Sequence, residues 1–260
     1  MQEISSQHNP RIKQAMRLRN SRGRQVQGRT LLDGYRELML AQRAGIEIVE
    51  CFVTEDSPHL DDLTSQPDLA AKCILVPRNV MAKISYGQRE TGLVAVINIP
   101  NVELGQIQVS DGDSLIVVLD AIEKPGNLGA VLRTADAIGA TAVVLSEPLC
   151  DVFNPNAVRA SQGTVFTVPT ARGSRQAVQD WLLKNDFRVF AARVQGSDLF
   201  SQVDLCGKTA IVLGNEAAGL AGSWSGEVTG IRIPMRGQID SLNISTAAAV
   251  ILYEAIRQRG

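Results

Sequence analysis

The residues best suited to chemistry lie in three glycine-bearing segments in the second half of the chain, at residues 123–133, 211–219 and 231–249. Their polar members include one arginine, one carboxylate, two amides and one hydroxyl: Asn127, Arg133, Glu216, Ser241 and Asn243. An arginine fork grips anionic oxygens at two points, while amides and hydroxyls orient a ligand through hydrogen bonds. This combination is typical of a site that binds and positions an anionic ligand.

Each of these residues also has a structural explanation. Asn127 follows a predicted strand and could simply cap a helix, with Gly126 and Gly129 present for close packing. Glu216 could face solvent at a tight strand exit. Arg133 is harder to explain in this way, because the predicted helix around it is apolar and an arginine there needs an anionic or hydrogen-bonding partner.

The chain contains few residues that could bind a metal ion or act as a catalytic histidine. There are only two histidines, His8 and His59, and the four cysteines are scattered without a C-x-x-C pair. This argues against a zinc site, a disulfide framework or a histidine-based triad, and it fits a reducing cytoplasm. We therefore expect that the protein binds no metal. We also expect a cytoplasmic protein, because the chain lacks an apolar run of roughly 18 residues and a secretory signal.

From residue 114 onward, short apolar strands alternate with helices, which predicts a mostly parallel sheet covered by helices on both faces. The predicted strands are 115–119, 142–145, 165–168, 189–192, 210–213 and 231–233, and the predicted helices are 127–138, 156–161, 175–184 and 241–259. The polar segments lie at the carboxyl ends of strands, where open α/β sheets bind ligands. The absence of G-x-G-x-x-G and Walker A loops argues against ordinary dinucleotide-binding and P-loop domains.

The first hundred residues predict a second, small α/β domain. Its predicted helices are 10–19, 35–44, 58–64 and 79–84, and its predicted strands are 30–33, 46–53, 73–76 and 93–97. A polar stretch without helical period follows. The predicted organisation is therefore a domain at 1–100, a linker at 101–113 and a larger α/β domain at 114–260.

Positive charge is concentrated at the N-terminus, although the net charge of the chain is −1. Residues 1–43 contain nine arginines and lysines against three acidic residues, an excess of six. Such a segment could contact phosphates or could be a solvated helix face, and charge alone gives the two equal weight. The candidate phosphate contacts are Arg17, Arg19, Arg22 and Arg24.

Taken in order, the three segments resemble the signature motifs of the SpoU family in the SPOUT class of RNA methyltransferases. The matching stretches are Asn127-Leu-Gly-Ala-Val-Leu-Arg133, Val212-Leu-Gly-Asn-Glu216, and Ile233-Pro-Met with Ser241-Leu-Asn243. Each stretch alone is a weak indication of the family, whereas the ordered set at these separations is a strong one. The match covers nearly all of the C-terminal half. Residues 32–38 are similar to the substrate-binding domain often attached to this family, a ribosomal-protein-like α/β fold, with Asp33 where a glutamate is usual.

The resemblance implies transfer of a methyl group from S-adenosylmethionine to a ribose 2′-hydroxyl of structured RNA, with ribosomal RNA favoured over transfer RNA. It also implies a deep trefoil knot and a homodimer with the site near the subunit interface. The implied cofactor contacts are Ala192, Gly214, Ile233, Met235 and Leu242. Arg133 is the implied principal catalytic residue, and the N-terminal domain with its arginines is the implied RNA-binding part.

In-line displacement at a sulfonium needs neither a metal nor a covalent enzyme intermediate, so the scarcity of histidine is compatible with it. A guanidinium is a poor proton acceptor. We therefore favour Arg133 as a clamp on a phosphate and a stabiliser of the emerging alkoxide over Arg133 as a base. Asn127 would orient Arg133 or the ribose, Ser241 and Asn243 would hydrogen-bond the target nucleotide, and Glu216 would brace the loops of the knot.

Three alternatives stay open. The chain could be a knotted RNA-binding or ribosome-assembly dimer without activity, although it keeps the whole polar set. It could methylate a base, as other SPOUT branches do, although the spacing from Asn127 to Arg133 favours the ribose branch. An unrelated nucleotide-binding α/β protein would explain the glycines, but not the three segments together.

Overall fold

The computed structural model describes residues 1–86, 91–193, 198–214, 224 and 228–260. The chain divides into two compact units. Unit 1 comprises Met1–Asn101 together with Asp151–Thr167, and unit 2 comprises Val102–Cys150 together with Val168–Gly260. Within the described ranges, no helix is long and apolar enough to span a membrane.

The helices and strands are numbered in chain order. The helices of the described residues are α1 Pro10–Arg17, α2 Ser21–Gln27, α3 Tyr35–Arg43, α4 Leu60–Thr64, α5 Pro67–Ala70, α6 Arg78–Ile84, α7 Pro125–Ala137, α8 Pro155–Ala160, α9 Arg175–Lys184 and α10 Ile244–Arg259. The strands are β1 Gln2–Glu3, β2 Arg29–Leu32, β3 Ile48–Val53, β4 Cys73–Leu75, β5 Leu93–Asn98, β6 Ser114–Asp120, β7 Ala142–Ser146, β8 Thr170–Gly173, β9 Arg188–Ala192, β10 Asp198–Leu199, β11 Lys208–Leu213 and β12 Val228–Arg232.

Unit 1 is built on a five-stranded mixed sheet in the order β1-β4-β3-β5-β2. Strands β1, β4 and β3 run parallel, and β5 pairs antiparallel with both β3 and β2. Helix α1 packs on this sheet through Ile12 and Ala15, which lie three residues apart on one helix face and are buried against Phe52 and Ile74. A small α/β domain was predicted for this part of the chain, and the sheet and helices agree with that prediction.

Residues 151–167 follow β7 in sequence but belong to unit 1. The Arg24 guanidinium, 2% exposed, donates from Nε to the Asp151 carboxylate at 2.7 Å. The Thr30 hydroxyl donates to the Phe153 carbonyl oxygen at 2.7 Å, and the Phe153 ring stacks with Phe166. This segment was predicted to belong to the C-terminal domain, whereas in the structure it packs in unit 1.

Unit 2 is built on a seven-stranded sheet in the order β10-β12-β9-β11-β6-β7-β8, and all of its recorded pairings are parallel. The central strands are continuous apolar runs because both of their faces are buried. Helix α9 covers one face through Val178 and Leu182. Helices α7 and α10 pack against each other and contact β7 and β11. The predicted α/β class with a mostly parallel sheet is thus confirmed.

One predicted strand was wrong, and the helix that follows α1 was not predicted. The β-branched run at 165–168 forms a 3₁₀ turn at Thr164–Phe166 instead of a strand, and the strand comes later, at Thr170–Gly173. A short apolar run does not distinguish a strand from a buried turn, and Gly163, with φ of 87°, starts the turn here. No element was predicted between α1 and β2, but helix α2 forms there, and Asn20 caps it by accepting a hydrogen bond from the Gly23 backbone N–H at 2.8 Å.

Candidate functional site

Three of the residues predicted to contact the cofactor lie where strands of the unit 2 sheet end, at the same edge of the sheet. Ala192 ends β9, Gly214 follows β11, and Ile233 follows β12. These strands are neighbours in the order β12-β9-β11, with Ile231 opposite Ala192 and Val212 opposite Ala191. Because parallel strands end at a common edge, their last backbone N–H and C=O groups converge there, beyond the ladder.

The segment from β12 to α10 adds an apolar component to this edge. Ile233, Met235 and Leu242 are each half-buried, while most residues between Met235 and Leu242 are exposed. Convergent backbone groups can hydrogen-bond a purine, and half-buried apolar side chains can cover its faces. The residues present therefore fit the adenosine part of S-adenosylmethionine, and the cofactor would be held largely by the backbone.

The structure brings the first and third motifs together at the start of α7 and α10. The Asn243 amide donates from Nδ2 to Oδ1 of Asn127 at 3.2 Å. Oδ1 of Asn243 caps α10 by accepting from the Ser245 backbone N–H at 2.9 Å and from the Ser245 hydroxyl at 2.7 Å. Asn243 thus contacts both the start of its own helix and the Asn127 side chain.

Arg133 lies on the exposed face of α7. Helix α7 starts with Pro125, and its buried residues Leu128, Val131, Leu132 and Ala135 occupy the opposite stripe. The apolar residues of α7 turn inward and Arg133 itself is exposed, so the anionic or hydrogen-bonding partner predicted for its guanidinium stays a prediction. The exposed guanidinium of Arg133 is therefore accessible to an incoming phosphate.

The other predicted site residues differ in what the structure shows. Ser241 is exposed, and its hydroxyl donates to the neighbouring Asp240 carboxylate at 3.3 Å. Glu216 lies outside the described residues. Arg17, Arg19 and Arg22 are exposed in unit 1. Arg24 is buried in its ion pair with Asp151 and also donates to the Leu18 carbonyl oxygen at 2.9 Å, so its guanidinium serves the core of unit 1 and is not accessible to a phosphate.

An ion pair that was not predicted from the sequence lies at the same sheet edge. Asp120 ends β6, next to β11, and its carboxylate is only 2% exposed. Arg175 donates to it from Nε at 3.1 Å and from Nη2 at 3.0 Å, and the Ser146 hydroxyl donates at 2.6 Å. The Asp120 carboxylate raises the pKa of Arg175 above its ordinary value. A carboxylate at the end of an apolar strand was the available signal.

This ion pair positions the motif that follows it. Immediately after Asp120, Ala121 adopts a left-handed φ of 52°, and the chain then enters α7 with Asn127 in its first turn. Arg175 opens α9, and its backbone N–H donates to the Glu147 carboxylate at 3.0 Å. Asp120 and Arg175 therefore tie together the ends of β6 and β7 and the start of α9. We assign them a positioning role.

Substitution of Asn243 separates its two roles, as the cap of α10 and as the donor to Asn127. Asn243→Asp keeps an oxygen that caps α10 but loses the donor to Asn127. We expect the free energy of unfolding to stay within about 0.5 kcal/mol of the wild-type value and methyl transfer to fall by at least about tenfold, because the Asn127 amide loses its orientation. Denaturant unfolding and methyl transfer to RNA measure the two effects.

Asn9→Ala is the matched control, since Asn9 caps α1 in unit 1 by accepting from the Arg11 backbone N–H at 2.9 Å. Loss of that cap costs about 1 kcal/mol of stability and should leave methyl transfer unchanged. Full activity in Asn243→Asp would show that the Asn127–Asn243 contact has no part in the reaction.

Comparison with known proteins agrees with this geometry in both units. Residues 114–253 match the SpoU rRNA methylase family, and residues 9–95 match the MRM3-like substrate binding domain. A relative from Bacillus subtilis (strain 168), the 23S rRNA (guanosine(2553)-2′-O)-methyltransferase RlmP, is 26% identical over 254 residues that cover 97% of this chain and 98% of the relative. The chain belongs to the SpoU rRNA methylase family.

Two solved structures resemble the whole chain. A crystal structure of an RNA 2′-O ribose methyltransferase has a TM-score of 0.84 and 38% identity, and the match covers 99% of both chains. The AdoMet-bound rRNA methyltransferase from Sinorhizobium meliloti has a TM-score of 0.88 and 29% identity, over 98% of this chain and 97% of that one. As the three motifs predicted, the protein is an S-adenosylmethionine-dependent RNA 2′-O-methyltransferase.

Proposed function

We propose that this chain methylates a ribose 2′-hydroxyl of ribosomal RNA at the edge formed by β12, β9 and β11, with Arg133 as its principal catalytic residue. The observation that carries this proposal is the Asn127–Asn243 contact, which joins the first motif to the third. Leu242, one of the predicted cofactor contacts, immediately precedes Asn243. The nucleotide and the cofactor can therefore be held by adjacent residues of one segment.

The bound cofactor supplies an electrophilic methyl group on a sulfonium. The ribose 2′-hydroxyl would accept that methyl group and release its proton to solvent. Arg133 holds the flanking phosphate and stabilises the negative charge that develops on the 2′-oxygen. The amides of Asn127 and Asn243 and the hydroxyl of Ser241 orient the ribose.

The proposal includes a wider architecture. A trefoil knot would be formed by the last segments of unit 2, and family membership supports it. A homodimer is supported by the exposed apolar side chains of α10, Val250 at 36% and Tyr253 at 55%, which would otherwise face water. We further propose that the protein works in the cytoplasm and that Arg17, Arg19 and Arg22 contact RNA phosphates.

In the described part of the chain, no group of three or more histidine, cysteine, aspartate or glutamate residues could hold a metal ion. Catalysis by positioning and charge stabilisation agrees with the residues that are present. Mapping of 2′-O-methyl groups on 23S, 16S and transfer RNA, from cells with and without this protein, tests the proposal. Loss of one ribosomal RNA methyl group supports it. Loss confined to transfer RNA, or no loss at all, would refute it.

A further inference from the structure

Tyr86 of unit 1 follows α6 and lies outside any helix or strand, yet its backbone is held from two sides. Its N–H donates to the Asp33 carboxylate at 2.6 Å, and its carbonyl oxygen accepts from Nη1 of Arg159 at 3.3 Å. Asp33 is buried, at 7% exposure. The position of Tyr86 is therefore fixed by the core of unit 1.

The ring of Tyr86 is held as well. The Arg19 guanidinium carbon lies 5.9 Å from the ring centroid, within the range of a cation–π contact, and Arg19 also donates to the Lys83 carbonyl oxygen at 3.1 Å. The Asn156 amide donates from Nδ2 to the phenol oxygen at 3.2 Å. Because Tyr86 is only half-buried, an immobilised aromatic ring keeps an accessible surface.

Cationic residues lie beside this ring, because Arg19 contacts it and also binds the backbone of Lys83. Of the three acidic residues among the first 43, Asp33 and Glu37 are buried, so their carboxylates do not lie at the surface. Arg17, Arg19 and Lys83 are exposed. The Tyr86 ring is therefore a fixed aromatic group beside the exposed residues Arg19 and Lys83.

We propose that Tyr86, with Arg19 and Asn156 beside it, binds an unpaired nucleotide of the RNA substrate. The base stacks on the accessible surface of the Tyr86 ring, and the Arg19 guanidinium contacts the adjoining phosphate or stacks with the same base. The Asn156 amide fixes the ring, and Arg159 fixes its backbone. This inference rests on the proposed function for its RNA substrate and adds the class of structure that unit 1 binds, single-stranded rather than double-stranded RNA.

Binding of the full-length protein to fluorescein-labelled RNA tests this assignment by anisotropy. The probes are the single strands U10 and A10 and a blunt 16-base-pair RNA duplex. We expect Tyr86→Ala to weaken binding to both single strands about tenfold, because a stacking contact is lost. Tyr86→Phe keeps the ring and should bind within about twofold of the wild type. Duplex binding should not change, because the bases of a duplex are already stacked.

Arg19→Gln gives a second readout. Removal of one phosphate contact should lower the slope of log affinity against log salt for U10 by about 0.7. Tyr35→Ala is the matched control for folding: Tyr35 is also a half-buried tyrosine of unit 1 in a ring contact, stacked on His59 with centroids 4.3 Å apart. It should not alter binding to U10.

Unchanged affinity for U10 and A10 in Tyr86→Ala would overturn the proposal. So would equal losses in Tyr86→Ala and Tyr35→Ala, since these would reflect weakened folding of unit 1, which thermal unfolding records independently. Methyl transfer to 23S rRNA is measured in the same preparations. If the wild type binds U10 through Tyr86 but methylates no RNA, the inference stands and the proposed function fails. If the wild type methylates RNA but its binding to U10 does not depend on Tyr86, the proposed function stands and the inference fails.

Discussion

Arg133→Ala is expected to lower the rate of methyl transfer by about 100- to 1,000-fold while the affinity for S-adenosylmethionine stays unchanged. The guanidinium is exposed on α7, whereas the residues proposed to hold the cofactor follow β9, β11 and β12, so its loss removes charge from the reacting ribose and phosphate and not from the cofactor. Single-turnover methylation of 23S rRNA and calorimetric titration of the cofactor measure the two quantities separately.

Arg133→Lys distinguishes geometry from charge. Lysine keeps the positive charge but loses the planar fork that grips two oxygens, so we expect its rate to lie between those of the alanine variant and the wild type. Arg172→Ala is the matched control, since Arg172 is also an exposed arginine of unit 2 but lies on the edge strand β8. Full activity of Arg133→Ala would remove Arg133 from the mechanism, and an equal loss in Arg172→Ala would assign its effect to general RNA attraction.

The architecture of unit 2 was largely predictable because its strands are buried on both faces. The apolar run at 115–119 predicted β6 to within one residue at each end, and similar runs predicted β7, β9 and β11. The contact of Asn127 with Asn243 was not predicted: they are 116 residues apart, no local pattern specifies that pairing, and the family resemblance only assigned both residues to one site. The spacing of apolar residues along the chain predicts the helices and strands, whereas the contacts between the ends of these elements depend on tertiary packing.

The same limit explains what the sequence did not predict in unit 1. Arg24 was grouped with Arg17, Arg19 and Arg22 because charge in a sequence carries no direction, but its partner Asp151 is 127 residues away and buries it. Asn156, which fixes the Tyr86 ring, is likewise in a segment that was counted with the C-terminal domain. Candidate RNA-binding residues could be proposed from composition, but their exposure could not.

The second large effect concerns stability. Arg175→Met should lower the free energy of unfolding by about 3 kcal/mol, because it leaves the Asp120 carboxylate buried with its charge uncompensated and only the Ser146 hydroxyl as a recorded side-chain donor. Asp120→Asn should cost less, about 1–2 kcal/mol, because the Arg175 side chain is 24% exposed and can be solvated once its partner is neutral. Denaturant unfolding measures both variants, and methyl transfer should fall with displacement of the segment that leads to Asn127.

The double variant gives the sharper test of this asymmetry. Adding Asp120→Asn to Arg175→Met removes the buried charge, so the double variant should be more stable than Arg175→Met alone although it carries one more substitution. Arg188→Met is the matched control: Arg188 pairs with Asp204 at 3.0 Å, but their side chains are 48% and 65% exposed, and such a pair contributes little, at most about 1 kcal/mol. Simple additivity of the two substitutions at Asp120 and Arg175 would mean that the carboxylate is solvated in the folded protein, and the positioning role assigned to this pair at the start of α7 would then be lost.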